Sequence, residues 1–178
     1  MTLIAGSHRV DDRGLTFDLG EGFDFTAHRT CFILQGDNGV GKTSFLEKVL
    51  IPALTGEAVP FLYLAQDLST QMLTLRALMA LQGRQAARAN DLDVIASWIK
   101  GSPTASVFML DEFDKYAPDL RFIFDCSAGF IQTYIMVSHL ATHSAPLLPA
   151  RFRLRRLAFT ATAIAGADRP IAVSEAAP

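Results

Sequence analysis

Cysteine is almost absent from this chain. Its 178 residues include two, Cys31 and Cys126, isolated thiols far from metal-ligand spacing to each other. A disulfide framework and a cysteine-based zinc site are therefore both excluded. Each thiol falls in or near an apolar run, which reads as buried free cysteine in a reducing compartment. An excess of one charge sign is also missing, since 16 Lys and Arg against 18 Asp and Glu leave a net charge of -2. No overall basic surface is on offer to nucleic acid. Half of the residues are apolar, yet charge, Gly or Pro interrupts every run before the roughly 18 residues that a bilayer-spanning helix needs. The opening segment Met1–His8 lacks the basic start and long apolar centre of a secretory signal, so a cytoplasmic location is expected. No internal repeat is visible, and the length suits one domain.

What is present begins at Gly36. The run Gly36-Asp37-Asn38-Gly39-Val40-Gly41-Lys42-Thr43 fits G-x-x-x-x-G-K-[ST] and follows the apolar segment Cys31-Phe32-Ile33-Leu34. Ser44 to Leu50 then carries apolar residues at helical spacing, with Ile51-Pro52 expected to end the pattern. Strand, Gly-rich turn and helix in that order make a phosphate-binding loop, whose backbone N–H groups converge on an anion at the positive end of the helix. Asp37 to Ser44 would line the phosphates. Lys42 would reach the terminal phosphate oxygens, and Thr43 would ligate Mg²⁺.

Elsewhere the chain alternates strand and helix signals. Leu15–Leu19 and Phe23–Thr26 read as short strands about the Gly20-Glu21-Gly22 turn, an antiparallel edge ahead of the phosphate loop. Compact apolar runs at Phe61–Leu64, Val107–Leu110 and Tyr134–Val137 read as fully buried strands, and residues 70–101 as helical. A last strand covers Arg153–Thr162. These features predict an α/β fold with a mostly parallel sheet flanked by helices. One domain spans 1–165, with a short helical subdomain over about 70–101 and a frayed tail over 166–178. Arg151, Arg153 and Arg155 fall on one face by alternation, near Arg156. That cluster suits a solvated edge or an anionic partner, lipid headgroups or nucleic acid.

Val107-Phe108-Met109-Leu110 runs directly into Asp111-Glu112. A phosphate loop working with Mg²⁺ needs a second carboxylate, and a buried strand ending in Asp delivers one. Asp111 would hold the metal and its water; Glu112 would polarise the water that attacks the γ-phosphate.

In sequence order, the G-x-N-G-x-G-K-T loop, Gln66 after a strand, the Asp111-Glu112 pair and His139 after Val137-Ser138 resemble the ATP-binding cassette (ABC) ATPases. The resemblance covers most of the chain and implies a P-loop NTPase fold that binds ATP and Mg²⁺. It implies that Gln66 contacts the metal and attacking water, that His139 contacts the γ-phosphate, and that an upstream aromatic, Phe17 here, stacks on adenine. It also implies a homo- or heterodimer closing over ATP and a membrane-subunit partner docking near Gln66 and residues 70–100.

The L-S-G-G-Q signature of that family does not occur between Gln66 and Asp111. The nearest fragment is Leu81-Gln82-Gly83-Arg84-Gln85, which keeps only L-x-G-x-Q. Its absence favours a heteromeric partner carrying its own signature. Two further readings stay open. Gly41 to Glu47 is similar to the RecF and SMC-like DNA-maintenance branch, and the missing signature also suits a nucleotide-gated assembly module with little hydrolysis.

Overall fold

The computed structural model describes residues 1–10, 14–83, 89–112, 114, 119–138, 151–161 and 169–176. Three short strands, β1 (Thr2–Leu3), β2 (Gly6–Val10) and β3 (Leu15–Leu19), precede β4 (Phe23–Asp24) and the loop-bearing β5 (Thr30–Gln35). Helix α1 (Lys42–Phe45) continues through a π-helical turn, Leu46–Leu50, into α2 (Ile51–Gly56). Then come β6 (Phe61–Leu64), α3 (Leu68–Leu81), α4 (Asp91–Lys100), β7 (Val107–Leu110), α5 (Leu120–Ser127), β8 (Thr133–Val137), β9 (Arg153–Ala161) and β10 (Arg169–Glu175).

Eight strands form one sheet in the order β2-β3-β10-β9-β5-β8-β7-β6. The stretch from β9 to β6 is parallel throughout. Side chains alternate across it as the pleat dictates. Cys31 and Ile33, Phe108 and Leu110, and Tyr134 and Met136 face α3, α4 and α5. Their neighbours Phe32, Leu34, Val107, Met109, Ile135 and Val137 face the α1–α2 helix and the first strands. Burial on both faces explains why these strands read as unbroken apolar runs. The helices of the 70–101 region belong to the same body: Met72, Leu75, Met79, Val94, Ile95 and Ile99 pack in one cluster with Leu62, Leu64 and Phe108. Leu73 and Leu78 point outward, 71% and 47% exposed. Among the described residues, no helix is long and apolar enough to cross a membrane.

Three expectations need correction. Arg169–Glu175, placed in a frayed tail, is a strand that lies between β3 and β9, parallel to the first and antiparallel to the second. Ile171 and Val173, 2% and 1% exposed, drive it there by entering the core with Phe17 and Phe159. Second, Ile51-Pro52 does not end the helix. Pro52 sits in the first turn of α2, where a missing N–H is tolerated, and the preceding π turn takes up the change in hydrogen-bond register. Third, the edge is assembled differently: β3 pairs antiparallel with β2, while β4 pairs with β1 in a separate two-stranded sheet.

Candidate active site at the carboxyl ends of the parallel strands

β5 delivers the chain to Gly36, where φ is 147° and an added Cβ would lie 2.4 Å from the Phe159 carbonyl oxygen of β9. Only glycine fits that approach. Gly41, at φ 107°, starts the helix, and a Cβ there would meet Ile171 Cδ1 at 3.0 Å. The Phe45 N–H then donates to the Gly41 carbonyl at 2.8 Å, closing the first helical turn. Between the two glycines the loop turns on itself, with the Val40 N–H donating to the Asp37 carbonyl at 3.2 Å.

Lys42 is 3% exposed, and its ammonium donates to the carbonyls of Gly36 at 2.6 Å and Asp37 at 3.0 Å. Burial pulls its pKa below the ordinary lysine value, opposed by the carboxylates of Asp111, Asp37 and Asp114. A cation held partly desolvated among loop carbonyls gains by exchanging them for phosphate oxygens. A cleft of about 510 Å³ opens here, lined by Gly39, Gly41, Lys42, Thr43, Ser44, Glu47, Lys48, Ala65, Gln66, Asp67 and Val10. Its size lies within the range of small-ligand sites. The glycine cradle, the lysine and the neighbouring Thr43 and Asp111 oxygens fit a Mg²⁺-bound nucleoside triphosphate.

Asp111 closes β7 with no exposure at all, its N–H donating to the Leu64 carbonyl at 2.9 Å. One residue on, Glu112 is 8% exposed and takes a left-handed φ of 51°. A non-glycine residue in that region is strained. The turn aims its carboxylate across to the loop after β6, where Gln66 Nε2 donates to Glu112 Oε1. The loops that follow β6 and β7 therefore bring Gln66 and Glu112 together beyond the strand ends. β8 lies between β5 and β7 in the strand order; its last neighbour, Ser138, is 1% exposed and donates to the Asp114 carboxylate at 3.3 and 3.4 Å.

The cleft thus gathers Lys42, Thr43, Ser44 and Gln66, while Asp37 and Asp111 lie close enough to Lys42 to act on its charge. Val40 is 9% exposed and packs into the core beneath the loop; Asn38 lies on its exposed side. Phe17 is a correction. It is fully buried, ring against ring with Phe45 at 5.3 Å and Phe159 at 6.3 Å, and has no face to offer an adenine. His139, Arg84 and Gln85 lie outside the described residues. Arg155 makes a two-pronged pair with Glu175, Nε to Oε1 at 2.9 Å and Nη2 to Oε2 at 2.5 Å, and stacks on Phe23 and Phe32. That engagement takes one charge out of the basic cluster.

Four polar residues near the site were not foreseen. Tyr63 donates to Glu47 Oε1 at 3.1 Å; burial, then the charges of Asp111 and Glu47, push its pKa well above the usual phenol range. Asp114 and Ser138 complete the group. The available signals were faint: Glu47 lies four residues past Thr43 along the helix, and Asp114 three past Asp111.

No family model matches the chain, and no curated protein matches it. Among solved structures, it is similar to a KaiC-like protein from the hyperthermophilic archaeon Pyrococcus horikoshii OT3, at 14% identity and a TM-score of 0.46, over 83% of this chain and 79% of that one. The fold assignment rests on the chain's own features: a mostly parallel sheet covered on both faces, with a glycine loop joining β5 to α1, is a P-loop NTPase fold.

Proposed function

We propose that this chain binds Mg-ATP in the cleft and hydrolyses its terminal phosphoryl bond. The observation that carries the reading is the Gln66–Glu112 contact at the mouth of the phosphate loop, beside buried Asp111 and Lys42. Lys42 neutralises phosphate oxygens, and the loop amides from Gly39 to Thr43 fix the triphosphate. Thr43 and Asp111 are the residues that would hold Mg²⁺, which supplies charge neutralisation when bound. Glu112 accepts a proton from, or orients, the water that attacks phosphorus, and Gln66 holds that carboxylate and donates to the same water. Phosphorus–oxygen bond formation to water and cleavage to ADP leave inorganic phosphate.

In the finer, ABC-type version, two ATPase subunits close over ATP and pass that closure to membrane transport subunits from the cytoplasmic side. The docking surface is the outer side of α3, the helix that begins two residues after Gln66, where Leu73 and Leu78 are exposed. Because L-S-G-G-Q is missing from the sequence, the second subunit is a different chain that supplies it. The nucleotide-gated module with slow turnover is kept as a second reading, because the Glu112 side chain is already engaged by Gln66.

The test is steady-state ATPase of the purified chain beside Glu112→Gln. Glu112→Gln should lower turnover by about 100-fold or more while ATP binding is retained. Equal turnover by the two proteins would remove Glu112 from the chemistry. Fast turnover by the lone wild-type chain would rule out the need for a complementing subunit.

A further inference from the structure

We infer that Gln71 is a positioning residue for the two carboxylates of the site, acting through the last residues of β6; this rests on the hydrolytic reading above. Among the described residues, β6 is the outer strand of the sheet, so one of its edges has no strand partner. Gln71, in the first turns of α3, covers that edge with both ends of its amide. Its Nε2 donates to the Tyr63 carbonyl, and its Oε1 accepts from the Ala65 N–H at 2.9 Å. Donation to one carbonyl and acceptance two residues further on is what a residue of a parallel neighbouring strand would do around Leu64. On the opposite edge, the Leu64 carbonyl accepts from the Asp111 N–H at 2.9 Å. The chain from Tyr63 to Ala65 is held on both sides.

What hangs from this clamp is the reactive group. The Tyr63 phenol donates to Glu47, the Leu64 carbonyl holds the Asp111 N–H, and Gln66, next after the clamped Ala65, donates to Glu112. Gln71 is not needed to cap α3, because Asp67 does so, accepting from Thr70 N–H at 3.3 Å and Thr70 Oγ1 at 2.7 Å. Without Gln71, the turn could slide along the sheet edge and carry Gln66 off Glu112 while leaving the phosphate loop in place. Small displacements of this kind are costly to a reaction that depends on alignment.

The experiment compares wild type, Gln71→Leu and Gln71→Glu in ATP turnover, thermal unfolding and affinity for Mn²⁺ in the presence of a non-hydrolysable ATP analogue. Gln71→Leu should lower kcat by about 10- to 100-fold with KM and the unfolding temperature nearly unchanged. Gln71→Glu, which keeps the acceptor for Ala65 but loses the donor for Tyr63, should fall between. A Gln71→Leu kcat equal to wild type, or one that falls only in step with the unfolding temperature, would overturn the positioning role. If the wild-type chain does not hydrolyse ATP at all, the hydrolytic reading fails separately and Mn²⁺ affinity decides. A several-fold loss in Gln71→Leu then keeps Gln71 as the residue that aligns Asp111, and an unchanged affinity removes it.

Discussion

Tyr134 packs at the centre of one core layer, its ring 4.9 Å from those of both Phe124 and Phe152, with Ser127 Oγ 2.7 Å from its hydroxyl. Burial pushes its pKa up from 10.0 to about 12, partly offset by Ser127. A phenol whose folded pKa exceeds its unfolded one gives its full contribution below pH 10 and loses it between pH 10 and 12, as the unfolded chain releases the proton first. The unfolding free energy from urea titrations should therefore fall over that window, by about 2 to 3 kcal/mol for Tyr134 alone. Tyr134→Phe should remove that share of the fall and leave the shares of Tyr63 and Cys31, whose pKa values burial also raises; an equally steep fall in the variant would take Tyr134 out of the alkaline transition. Legibility at this scale followed chemistry. Asp111 and Glu112 are placed by the end of a buried strand, and Lys42 by the glycine loop that opens α1, whatever surrounds them. Phe17 was misread because its function would depend on which way one ring faces, and alternation in a short strand does not say which face another strand will later cover.

At the scale of elements, the same limit explains β10. Its apolar residues Ile171 and Val173 alternate as a strand should, but they sit in an Ala- and Pro-rich segment too short to stand out. Its two partners, β3 and β9, flank it on opposite sides, and β3 lies some 150 residues earlier in the chain, a pairing that no local pattern carries. The buried parallel strands, by contrast, were legible because both their faces are apolar. Ile171 also closes the space over Gly41. Ile171→Ala should then cost about 2 to 5 kcal/mol, the range for truncating a buried aliphatic side chain. Denaturant unfolding reads this directly, and a loss below about 1 kcal/mol would mean that the strand is not part of the native sheet.

For the whole molecule, the phosphate loop is where one apolar layer meets strands β3, β10 and β9. Gly36 abuts Phe159 of β9, Gly41 abuts Ile171 of β10 and Phe17 of β3, and Val40 enters the layer formed with α1 and α2. A ligand that binds this loop should consequently resist unfolding of the entire sheet, and not of one local segment. Binding to the folded state alone stabilises by about 2.7 kcal/mol at a ligand concentration 100 times its Kd. For a chain of this length, that corresponds to a rise of roughly 5 to 10 °C in Tm. Mg-ATP should produce such a shift as a single transition, seen alike by tryptophan fluorescence at Trp98 and by far-ultraviolet circular dichroism. Trp98 is a useful probe because it packs against Phe108 in the layer facing α3, α4 and α5, away from the loop. Lys42→Ala should lose most of the shift. If Mg-ATP left Tm unmoved, or moved wild type and Lys42→Ala equally, the cleft would not be a triphosphate site; two separated transitions would mean that the layer beneath the loop unfolds apart from the layer around Trp98.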